Sequence, residues 1–119
     1  MKAEIKTLHS PDIYDMATWV PPDPACFDFL LELGIGPAGE EGCEVFCFRV
    51  VTPLYLDRMC RGRPAVMGRH YIIVAGFCHE ELVEFLRKYV GSLDAPDWPS
   101  LARLLAQHGQ WEFDSYDAG

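Results

Sequence analysis

The stretch from Phe27 to Val51 constrains this chain more than any other. Phe27, Phe29, Leu31, Leu33 and Ile35 alternate with Asp28, Leu30 and Glu32. That is the period-two pattern of a half-buried strand. A polar, glycine-rich loop follows, Gly36 to Gly42, and Cys43 to Val51 then reads as a second strand with Phe46, Phe48 and Val50 on one face. Two such runs around a short glycine loop predict an antiparallel hairpin. Its apolar face must be covered by a second layer.

The covering layer is legible downstream. Cys78 to Val90 has helical spacing, with Leu82, Phe85, Leu86 and Tyr89 on one face, Glu84 four residues before Lys88, and Gly91 as a stop. Asp97 caps a further helix, with Pro99 in its first turn, running to about His108 and stopped by Gly109. Trp98, Leu101, Leu105 and His108 share one side of it. Thr52-Pro53 starts a short helix, Pro53 to Cys60. Ala3 to His9 and Arg69 to Ala75 read as strands, and Gln110 to Tyr116 as a last strand or packed extended segment. In that tail Trp111 and Phe113 are expected to pack inward, which would leave Glu112, Asp114 and Tyr116 outward. Residues 10–25 hold four of the nine prolines and are expected as loop.

Strands come first and helices later. The expectation is one α+β domain over residues 1–119, a mostly antiparallel sheet of about four to five strands packed with two main helices and one short helix. At 119 residues and 50% apolar, area scaling buries about two-thirds of the unfolded surface. That is a sufficient core without disulfide or metal.

Charge is unevenly placed. Eighteen acids oppose ten bases, a net charge of −8. This excludes a general nucleic-acid binder and a polybasic membrane-surface protein, and it favours solubility and a basic partner. From Thr7 to Phe48 there are eight acids and no lysine or arginine: Asp12, Asp15, Asp23, Asp28, Glu32, Glu40, Glu41 and Glu44. Arg49, Arg58, Arg61, Arg63 and Arg69 then face a single acid, Asp57. The favoured reading of Arg58, Arg61 and Arg63 is internal pairing with nearby acids. The last eleven residues again carry only acids, Glu112, Asp114 and Asp117.

Five cysteines, Cys26, Cys43, Cys47, Cys60 and Cys78, cannot all pair within the chain, and no Cys-x-x-Cys occurs. Met1 to Ser10 has no apolar signal-peptide region, and no apolar run is long enough to span a membrane. These features predict a cytoplasmic protein with free, mostly buried thiols.

The motifs that carry chemistry are weak. Gly34 to Gly39 matches G-x-G-x-x-G, but Glu40, Glu41 and a strand follow instead of a helix N-terminus, so a hairpin loop needing left-handed glycines is the better reading. His79-Glu80 begins a zinc-protease motif whose second histidine is replaced by Val83. Cys43 and Cys47 on one strand lie about 13 Å apart, too far to share an ion. Cys60, between Arg58 and Arg61, is the best candidate for a reactive thiolate, although a buried structural thiol is favoured. No cofactor, metal ligand or catalytic residue is assigned.

The ordered segments "AEIKTLHSPDI", "IGPAGEEGCEVFCF", "TP-x-x-L", "GRHYIIV" and "WEF" together resemble the immunity protein 8 family of bacterial polymorphic toxin systems, from Met1 to about Tyr116. The resemblance implies a non-enzymatic cytoplasmic antidote, usually encoded beside a toxin, that protects the producing cell by binding the toxin domain. A basic, nuclease-like toxin suits the acidic excess. The residues expected to contact it are Asp12, Asp15, Asp28, Glu32, Glu40, Glu41, Glu44, Glu112, Asp114 and Tyr116. Direct nucleic-acid or membrane binding is not expected, and the chain is expected as monomer or homodimer. The alternatives are a self-associating adaptor pairing through an edge strand, and a small enzyme using Cys60 or a histidine–carboxylate pair.

Overall fold

A computed structural model describes residues 1–113. The alternating run forms strand β2 (Asp28–Pro37), flanked by β1 (Ala3–His9) and β3 (Glu44–Val51), all antiparallel neighbours. Register places Phe29 opposite Val50, Leu31 opposite Phe48 and Leu33 opposite Phe46. All six of these side chains are buried. Ile5 and Leu8 of β1 join the same face, on either side of a bulge between Ile5 and Thr7.

Helix α1 (Pro53–Cys60) leads from β3 to the short strand β4 (Tyr71–Ile73), which runs parallel to β3. Then come α2 (His79–Ser92), α3 (Trp98–Ala106) and the two-residue β5 (Gln110–Trp111), antiparallel to β3. The sheet is therefore mixed, and the class is α+β. Leu82, Leu86 and Val90 of α2, with Leu101, Ala102 and Leu105 of α3, close over the apolar face of the sheet. At one end of this core Trp19 packs edge to face on Phe27, Phe29 and Phe77, with Trp19–Phe77 centroids 4.9 Å apart, while Phe27 and Phe29 stack nearly parallel.

The helix starts follow from the sequence. Thr52 accepts from the Tyr55 N–H at 3.3 Å, and Asp97 accepts from the Ser100 N–H at 2.8 Å, each with a proline in the first turn. Glu84 and Lys88 pair at 3.5 Å.

Several expectations are corrected. The strand expected over Arg69 to Ala75 is only Tyr71–Ile73. β4 and β5 share the outer edge of β3, with β5 on Phe46–Cys47 and β4 on Arg49–Val51, and β3 ends at Val51. Little edge is left for a longer strand. Gly91 does not stop α2, which continues to Ser92. Phe85 is 59% exposed and Phe113 41% exposed, so neither ring is core. The G-x-G-x-x-G run divides. Gly39 and Gly42 take positive φ in the hairpin loop, whereas Gly34 and Gly36 lie within β2. A Cβ at Gly36 would meet the Gly42 carbonyl oxygen at 2.0 Å. Close approach of backbone explains that glycine.

The thiols are free but not mostly buried. Cys43, Cys60 and Cys78 are exposed, and Cys26 and Cys47 are half-buried. The reason is positional: Cys43 precedes β3, Cys60 ends α1 and Cys78 stands just before α2.

Candidate functional site

The face of the sheet opposite α2 and α3 is built from the alternate positions of the same strands. Thr7 and His9 of β1, Asp28 and Glu32 of β2, and Cys47 and Arg49 of β3 occupy it. Its charges are used locally. Arg49 Nη1 donates to Asp28 Oδ2 at 2.5 Å, and His9 Nε2 lies 3.2 Å from Glu32 Oε2. α1 brings Tyr55 close to Asp28. Burial, then the Asp28 charge, pushes the Tyr55 hydroxyl above its ordinary range. The Cys47 thiol is raised by burial and by the charges of Glu32 and Glu112. A raised thiol is a poor nucleophile.

The eight described residues among the ten expected at an interface lie on several parts of the fold: the loop before β2, the open sheet face, the hairpin loop and the β3–β5 pairing. Asp28 and Glu32 lie on the open face, and Glu112 is near enough to Cys47 to act on its thiol. Glu112 also extends the β5 pairing: its carboxylate accepts from the Val45 N–H at 2.8 Å, and its own N–H donates to the Val45 carbonyl at 3.0 Å. Glu44 accepts from the Trp111 indole at 2.7 Å, holding that ring stacked on Phe46. Asp12 accepts from the Leu30 N–H at 2.8 Å, and Asp15 accepts from the Ala17 N–H in its own turn. Glu40 and Glu41 sit exposed in the loop between β2 and β3. Among the described residues their carboxylates have no partner, while the Glu40 carbonyl accepts from Lys6 Nζ at 2.6 Å. Asp114 and Tyr116 lie outside the described residues.

The structure holds a surface that sequence reasoning missed. A groove runs between β4 and α2, with Phe48, Tyr71, Ile72, Phe85, Tyr89 and His108 around one part of it. It continues along Val74 to Gly76 toward Cys78 and Glu81. Ile73 is 60% exposed beside it. Tyr89 Oη and His108 Nδ1 are hydrogen-bonded at 2.9 Å at one end. On α2 the buried stripe is Leu82, Leu86 and Val90, at the spacing of one narrow seam. Phe85 falls beside that seam, and this offset is the only sequence signal for the groove. The cavity is about 280 Å³, below the ~300–1,000 Å³ of ordinary small-molecule sites. It suits a side chain better than a cofactor.

Cys60 is exposed, so the favoured reading of a buried structural thiol does not hold, and the alternative of an arginine-activated thiolate lacks its partners. Arg58 Nη1 is 3.2 Å from Cys26 Sγ, and Arg61 pairs with Asp57 at 3.4 Å, so both arginines are engaged elsewhere. Pairing with acids holds for Arg61, whereas Arg58 instead meets a thiol. Among the described residues no three or more metal-ligating side chains gather. Nor is any helix there long and apolar enough to cross a membrane.

These features define a small α+β domain that offers a polar hairpin tip and an apolar groove. The family model described as immunity protein 8 matches residues 3–116, nearly the whole chain, and the protein belongs to that family. Membership makes it an immunity protein of toxin systems and implies a cognate toxin as its partner. No curated protein and no solved structure matches the chain.

Proposed function

We propose that this protein is a cytoplasmic antidote that binds one bacterial toxin domain and occludes it without chemistry, its acidic surface meeting a basic region such as a nuclease cleft. The family match over residues 3–116 carries the reading. The net charge of −8 supports the electrostatic part. Of the acids before β3, Glu40 and Glu41 are the exposed pair whose carboxylates no contact among the described residues occupies. Among the acids of that stretch they are the best placed for a partner, whereas Asp28, Glu32 and Glu44 have work inside the fold. Complementary charge raises association rates and rejects wrong partners.

Co-expression with the toxic domain encoded beside its gene tests this. Growth is expected to be restored, with a complex that can be isolated and weakens as salt rises. Replacing Glu40 and Glu41 by lysine should slow association about tenfold. Continued toxicity in the presence of the soluble, folded protein overturns the reading. A salt-independent affinity removes its electrostatic part.

A further inference from the structure

The groove between the outer edge of β4 and α2 has the parts of a strand-addition site. Arg49 N–H donates to the His70 carbonyl at 2.8 Å, and Val74 N–H donates to the Val51 carbonyl at 2.8 Å. Alternation along a strand therefore turns the N–H and C=O groups of Tyr71 and Ile73 away from β3. Among the described residues no strand pairs with that side of β4. An open strand edge is a template for another extended chain, and a helix beside it supplies pockets for alternate side chains.

Two large apolar side chains, Ile73 and Phe85, stand exposed along the same groove. An apolar centre with a polar rim is the anatomy of a protein interface. The rim here is acidic. Glu80, Glu81 and Glu84 follow one another along the exposed side of α2, around Phe85. Glu80 and Glu81 have no carboxylate partner among the described residues, while Glu84 has Lys88. The first two also suit a helix N-terminus, but Glu84 lies beyond the first turn.

We propose that this groove receives an extended segment of the toxin polypeptide, with an aliphatic or aromatic side chain against Phe85 and Ile72 and a lysine or arginine beside Glu81. The proposal rests on the immunity reading and names the surface and mode of recognition. A second copy of this chain fits less well. A two-fold contact would bring the same acidic rim of both copies into one interface, on a protein of net charge −8.

Hydrogen–deuterium exchange of the full-length protein, free and in complex with the neighbouring gene's toxic domain, tests it. The amides of Tyr71 and Ile73 are expected to slow at least about tenfold in the complex. Phe85→Ala, at an exposed position, should weaken binding at least about tenfold while leaving the free protein folded. Ile73→Pro removes the outward N–H and should weaken binding similarly. A complex that forms with unchanged exchange at Tyr71 and Ile73 overturns this proposal and leaves the immunity reading intact. Slowing that rises with concentration of the free protein assigns the groove to a second copy, and also overturns it. Failure to form any complex overturns the immunity reading and this proposal together.

Discussion

The hydroxyl of Thr52 accepts a hydrogen bond from the backbone N–H of Phe27 at 3.3 Å, across 25 positions of sequence. The same oxygen caps α1 by accepting from Tyr55 N–H. Thr52 is fully buried, so one side chain satisfies two backbone donors at the junction of β2, β3 and α1. Thr52→Ala is expected to cost about 2 kcal/mol, the sum of a lost cap and a buried unpaired donor. Thr52→Ser should recover most of it. Urea unfolding measures both, and a Thr52→Ala loss below about 0.5 kcal/mol would refute the double role.

Gly36 and Gly91 should respond in opposite directions. A Cβ at Gly36 would strike the Gly42 carbonyl, which only a backbone shift in the hairpin relieves. Gly36→Ala is expected to destabilise by about 1–3 kcal/mol. Gly91 lies inside α2 with open space around it, so Gly91→Ala should stabilise by about 0.5–1 kcal/mol. Thermal unfolding of the two variants checks the signs.

Glu4 and Asp97 are among the carboxylates that make stability sensitive to acid. The hydrogen bond from Lys6 lowers Glu4 below its ordinary 4.5, and the Ser100 N–H lowers Asp97 below its ordinary 3.8. Both groups are depressed in the folded state, so their contribution is fully present above the unfolded values. It is lost as pH falls through the lower folded ones. Unfolding midpoints should therefore be insensitive to these groups near neutrality and drop below about pH 4.5. Asp97→Asn keeps a cap acceptor without the titration. A variant whose acid profile matches that of the parent would show that Asp97 does not contribute.

The thiols should separate by alkylation rate. Cys43, Cys60 and Cys78 are exposed and should label first. Cys47 is half-buried, with Glu32 and Glu112 holding its thiolate back, and should label last. Time-resolved mass spectrometry reads the order. Early labelling of Cys47 would contradict the geometry of the open sheet face.

Acids inside the fold should be distinguishable from acids at its surface. Asp28→Asn loses the charge-assisted contact with Arg49 and is expected to destabilise by about 1 kcal/mol, a modest value because the pair is partly exposed. Replacing Glu40 and Glu41 together by glutamine should move stability by less than about 0.5 kcal/mol. Chemical denaturation gives both numbers. A large loss for the loop pair would mean that those carboxylates also support the hairpin.

Local chemistry made much of the fold legible in sequence. Alternation defined the buried faces of β2 and β3, because adjacent side chains on a strand point to opposite sides. Thr52-Pro53 and Asp97 marked helix starts because a capping oxygen and a preset proline φ act within one turn. The candidate interface was less legible. The acidic stretch was visible, but not which acids were occupied, since Glu44 meets Trp111 and Asp12 meets Leu30 only after the chain has folded.

The sequence by itself determined the hairpin, the helix starts, the α+β class and the acidic excess, all of which depend on neighbours a few positions away. Tertiary structure alone decided the length of β4, because β5 takes part of the same β3 edge. It alone decided that Phe85 stands outside the core, because Leu82, Leu86 and Val90 already fill the seam of α2. Helical periodicity gives the direction of a side chain and not the width of what it meets, so the groove beside Phe85 exists only once β4 lies next to α2.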